Sequence, residues 1–113
     1  MIEKREGEPF SRIDVAEAKR MIDAGGVQVI DTREPHEHAE GHVPGSLRIQ
    51  HMAILLQADK LAKDRPILFI CKSGQRSAVA AEFAASLGLV DLYNVEGGHL
   101  AWAAAGYPMA EGD

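Results

Sequence analysis

A chain of 113 residues, 46% of them apolar, is expected to form one domain with its own hydrophobic core, without disulfide or metal staples. Twelve Lys and Arg against seventeen Asp and Glu leave a net charge of -5, which argues against general binding to nucleic acid or to an anionic membrane. The N-terminal residues are too charged for a secretory leader, and no apolar run approaches the roughly 20 residues that span a bilayer. A lone cysteine has no intramolecular disulfide partner, so the expected setting is the reducing cytoplasm.

Residues 1–9 read as a polar lead-in, and Pro9 to Ile13 as a short, weak strand. Asp14 is placed to cap a helix, with Glu17 at the capping-box spacing. Ala18, Met21 and Ile22 fall on one face of that helix, and Gly25-Gly26 stops it. Val27 to Asp31 is a β-branched run and is expected as a strand. Pro35 suits the first turn of a short helix through Glu40, and the segment from Gly41 to Gly45 is turn-rich. Ser46 to Ile49 is a further short strand. Met52, Leu55, Leu56 and Leu61 suggest an amphipathic helix from His51 to about Lys63.

Arg65-Pro66 ends that helix and starts Ile67-Leu68-Phe69-Ile70, apolar without alternation, as in a central strand buried on both faces. A helix from Ser77 to about Leu87 ends at Gly88. Leu92 to Val95 is the last strand, Glu96-Gly97-Gly98 a tight turn, and His99 to Trp102 opens a short final helix. The alternation implies an α/β fold: a mostly parallel central sheet of about five strands, with helices on both faces joined by right-handed crossovers.

The chemistry is expected between the central strand and its helix, at Cys71-Lys72-Ser73-Gly74-Gln75-Arg76-Ser77. In open α/β sheets ligands bind at the C-terminal ends of the strands. The N–H groups of residues 72 to 77 can form a ring of donors, and Gly74 lets the backbone curl without a Cβ clash. Lys72 and Arg76 add two cations. All of these favour a thiolate, the reactive form of cysteine. Ser77 is either a donor to the sulfur or the cap of the following helix.

Four residues separate Cys71 from Arg76, and this loop between a buried strand and a helix resembles the active-site loop of the rhodanese sulfurtransferases. Asp31-Thr32-Arg33-Glu34-Pro35 with Gly41-His42-Val43-Pro44-Gly45-Ser46 resembles that family's upstream signature. Gly97-Gly98 with Trp102, Gly106 and Pro108 resembles its C-terminal one. The resemblance runs from residue 10 to residue 108, in the family's usual order, and the single-domain rhodanese is its closest form. It leaves 1–9 as lead-in and 109–113 as tail.

The resemblance implies a sulfurtransferase that needs no cofactor. Cys71 would take a sulfur from thiosulfate or a similar anionic donor as a persulfide and pass it to cyanide or a thiol. Lys72, Ser73, Gly74, Gln75, Arg76 and Ser77 would hold the donor, supported by Asp31 and Arg33. A protein donor or acceptor in a sulfur relay is the second reading. A cysteine-dependent phosphatase or arsenate reductase is the third, although tyrosine phosphatases use a longer cysteine-to-arginine spacing and need a general acid, for which Asp31 and Glu34 are the nearby candidates. Asp31 and Arg33 are expected mainly as a structural pair. His36, His38 and His42 resemble a metal cluster in spacing, but Gly41 interrupts their helix and no second cysteine joins them, so no metal is expected.

Overall fold

In the computed structural model, which describes residues 1–112, strands β1 (Ile2–Lys4), β2 (Ser11–Ile13), β3 (Gln28–Asp31), β4 (Leu47–Arg48), β5 (Ile67–Ile70) and β6 (Leu92–Val95) form one sheet. Its order is β1-β2-β6-β5-β3-β4. All neighbours are parallel except β1 and β2, which pair Ile2 with Ile13 and Lys4 with Ser11. The helices are α1 (Val15–Ala24), α2 (Pro35–Glu40), α3 (Gln75–Ser86) and α4 (Gly98–Ala104). Among the described residues no helix is long and apolar enough to cross a membrane.

The central strand behaves as its unbroken apolar run predicts. Ile67 and Phe69 point into a core shared with Ala80, Ala81 and Ala84 of α3. Leu68 and Ile70 point the other way, into a core with Ala18 of α1 and Trp102 of α4. Both faces of β5 are therefore sealed, and its C-terminal end is the one place where the strand meets polar chemistry. Alanines on the sheet-facing side of α3 let that helix sit close, which brings its first turn over the end of β5. Trp102 is buried, and its indole N–H donates to the carbonyl of Pro108 at 2.8 Å.

One expectation is extended and two are corrected. The segment Ile2–Lys4 adds a sixth, antiparallel edge strand to the expected five; its residues are exposed, so no apolar alternation marks it. The helix expected from His51 to Lys63 is instead two single 3₁₀ turns, His51–Ala53 and Ala58–Lys60. The carboxamide of Gln28 explains the second break: it donates to the carbonyl of Lys60 and accepts from the N–H of Ala62, both at 2.8 Å. A continuous helix would need those same backbone groups for itself. Finally, α3 begins at Gln75, capped by Gly74 at φ +114°, rather than at Ser77. Ser77 lies within the first turn, and its side chain points at the sulfur.

Candidate active site

The loop from Cys71 to Gly74 is shaped by what takes its carbonyls. N–H groups in the first turn of α4 donate to two of them: His99 N–H to the Cys71 carbonyl at 2.8 Å and Leu100 N–H to that of Lys72 at 3.1 Å. The side chain of Asn94, at the end of β6, donates to the carbonyl of Gly74 at 3.2 Å. With the carbonyls turned outward, N–H groups are left facing inward. The N–H of Gly74 donates to Cys71 Sγ at 3.0 Å, and the hydroxyl of Ser77 lies 3.3 Å from the same sulfur. Such close approach of α4 requires Gly98. Its φ is +55°, and a Cβ there would sit 2.5 Å from both the Cys71 and the Lys72 carbonyl oxygens.

The sulfur is buried, with 1% of Cys71 exposed. Burial alone would push the thiol up. The Ser77 hydroxyl and the N–H groups of Ser77, Gly74 and Ser73 outweigh it and hold the thiol below its ordinary value. The one hydroxyl proton of Ser77 lies between two acceptors, Cys71 Sγ and the side-chain oxygen of Asn94. It serves Asn94 while the thiol is neutral and turns to the sulfur when the charge forms, because a charged acceptor makes the stronger hydrogen bond.

The two cations of the loop differ in kind. Lys72 is exposed and makes no ion pair among the described residues. It borders an open groove of about 340 Å³ whose other walls include Glu37, Glu40, Leu100 and Met109. Arg76 is engaged: its two terminal nitrogens donate to the two carboxylate oxygens of Glu37 at 2.8 and 3.0 Å. Glu37 in turn accepts from the Glu34 N–H at 3.0 Å, which fixes it to the start of α2. The guanidinium of Arg76, opposed by burial and aided by that N–H, holds the Glu37 carboxyl down at about 2. Ser73 and Gln75 are exposed and hydrogen-bond each other.

Asp31 and Arg33 lie behind the loop and make no hydrogen bond to the sulfur. Asp31 is fully buried; Arg33 holds both of its oxygens at 2.8 Å, and His38 Nδ1 meets one of them at 2.8 Å. Burial pushes this carboxyl up, but the hydrogen bonds from Arg33 and His38 prevail and keep it ionised below its ordinary range. Arg33 also donates to the Gly41 carbonyl at 2.7 Å and so ties the turn after α2 to β3. His38 and His42 stack with ring centroids 3.6 Å apart. His42 Nδ1 is 2.7 Å from the His38 carbonyl.

The link from this cluster to the loop is His99, which sequence reasoning placed only in the final helix. Its Nδ1 meets the Cys71 carbonyl at 2.9 Å, while Nε2 accepts from the Val43 N–H at 3.3 Å. These partners select the neutral tautomer protonated on Nδ1. Burial pushes the imidazole further toward neutrality against the opposing charge of Asp31. Asn94 and Glu37 are likewise not marked as site residues by the sequence, and Gly98 is marked only as part of a turn and of the C-terminal signature. Asn94 carried a legible signal, a polar side chain inside an otherwise apolar strand. Glu37 was one carboxylate among several on α2, and its partner is distant in sequence.

Residues 14–105 match the rhodanese-like domain family. The thiosulfate sulfurtransferase GlpE of Pseudoalteromonas translucida is 32% identical over 96 residues, covering 85% of this chain and 91% of that protein. Among solved structures, a rhodanese-related protein from Thermoplasma volcanium superimposes with a TM-score of 0.80 at 34% identity, covering 88% of this chain and 96% of that one. A protein of unknown function from Rhodopseudomonas palustris, described as a possible tyrosine phosphatase, gives 0.79 at 30% identity over 88% of this chain and 83% of its own.

Proposed function

The chain belongs to the rhodanese-like domain family, and from that premise we propose that it is a sulfurtransferase taking sulfur from thiosulfate or a similar sulfane donor. The Cys71 thiolate attacks the outer sulfur of thiosulfate. A Cys71–sulfur bond forms as the sulfur–sulfur bond of the donor breaks, and sulfite leaves with the bonding electrons. The enzyme is left as a persulfide anion. An acceptor, cyanide or a thiolate, then attacks the terminal sulfur and returns Cys71 as thiolate, giving ping-pong kinetics. As the only cysteine, Cys71 has no resolving partner within the chain, so discharge requires an outside acceptor. A cytoplasmic, reducing setting suits that cycle.

The observation that carries this reading is the convergence of hydrogen-bond donors on Sγ, from Gly74 and from Ser77, in a loop closed by Arg76. Those donors stabilise negative charge on sulfur in either half-reaction and call for no proton transfer. Asp31, an expected acid candidate, spends both oxygens on Arg33 and His38 and stays ionised, so it has no proton for a phosphoryl leaving group.

Steady-state assays distinguish the readings. Thiosulfate with cyanide should give thiocyanate with parallel double-reciprocal lines, and p-nitrophenyl phosphate should not be turned over. Phosphatase turnover without thiocyanate would replace the proposal with the phosphatase reading.

A further inference from the structure

Arg76 is the loop's natural partner for an anionic donor, yet both of its terminal nitrogens are committed to Glu37. Glu37 cannot swing away freely, because one of its oxygens also holds the Glu34 N–H at the start of α2. It stays ionised throughout any working pH, since the same guanidinium keeps its carboxyl near 2. The Arg76 and Glu37 side chains are only 28% and 20% exposed, so water screens the pair incompletely. Glu34 adds a further negative charge that Arg76 senses, and Glu40 lines the neighbouring groove. A donor approaching Arg76 thus meets a carboxylate already in the bidentate position that its own oxygens would occupy.

We propose that Glu37 is a specificity-determining residue, which masks the charge of Arg76 and sets the site against dianionic sulfur donors in favour of those carrying a single negative charge. This deepens the sulfurtransferase reading and rests on it. The penalty is electrostatic and grows with donor charge: each added negative charge is repelled by Glu37 and finds Arg76 already neutralised. It falls on donor binding, because Glu37 makes no hydrogen bond to the sulfur.

Thiosulfate and methanethiosulfonate provide the test. Both deliver the same outer sulfur, and the second replaces a charged oxygen by a methyl group, so they match in size and differ by one charge. In Glu37→Gln, KM for thiosulfate is expected to fall about five- to tenfold, with kcat and the KM for methanethiosulfonate each within about twofold of wild type. Glu37→Ala, which also gives up the hydrogen bond from the Glu34 N–H at the start of α2, must move the ratio of the two kcat/KM values in the same direction. An unchanged ratio in both variants, or a rise in KM for thiosulfate, overturns the inference while leaving the sulfurtransferase reading intact. Failure of the wild type to form a persulfide with either donor overturns both.

Discussion

The charge state of Cys71 depends on a contest within a few ångströms. Burial favours the thiol, and three backbone N–H groups with the Ser77 hydroxyl favour the thiolate and win. The sign of the resulting pH dependence follows. In the proposed reaction only the thiolate attacks, so the rate is expected to fall as pH drops through the thiol's pKa, and a lowered pKa extends activity to lower pH. Removing the hydroxyl in Ser77→Ala should move the acid limb of kcat/KM to higher pH. The loss should be several-fold on the acid side and largely recovered in alkaline buffer. A loss of equal size at every pH would show that Ser77 shapes the loop instead of stabilising the charge. Ser77 also illustrates what sequence alone leaves open. A serine near the start of a helix reads equally as a cap or as a donor, and the choice was decided by Gly74, whose left-handed backbone takes the cap position and moves Ser77 into the first turn.

Among the elements, α4 shapes the Cys71–Gly74 loop as much as α3 does. N–H groups at the start of α3 face the sulfur, that of Gly74 at 3.0 Å. Their orientation, however, is imposed from α4, whose N–H groups draw the carbonyls of Cys71 and Lys72 outward. Gly98 permits that contact. In Gly98→Ala the new Cβ would meet two backbone oxygens, which have no flexible end to give way, and it would also have to adopt φ +55°. The expected cost is about 2 kcal/mol or more in chemical denaturation, together with loss of sulfurtransfer even in the fraction that remains folded. A variant of wild-type stability and activity would show that the loop holds its shape without α4. The twin glycines at 97–98 were legible as a turn but not as a docking point, because the partner backbone lies at residues 71–72, on the far side of α3 and β6 in sequence. The same limit explains the segment from His51 to Lys63. Its apolar spacing is helical, and the contacts of Gln28, remote in sequence, account for the break at its C-terminal end.

Across the whole molecule, the parts that sequence reveals are those governed by local pattern: the bilaterally buried Ile67–Ile70 strand, the parallel α/β alternation, and the thiol at the strand's end. The parts it conceals are pairings between distant side chains. Glu37 with Arg76 and His99 with the Cys71 carbonyl join elements that meet only through the topology of the sheet. Asp31, Arg33, His38 and His99 form one buried polar network behind the loop, and its contact with Cys71 runs through His99. In the proposed function Cys71 carries sulfur as a persulfide. Intact-protein mass spectrometry after incubation with thiosulfate and removal of excess donor tests it most directly. The expected result is a gain of one sulfur atom in the wild type, reversed by cyanide and absent in Cys71→Ala. An unchanged wild-type mass, or the same gain in Cys71→Ala, would contradict it.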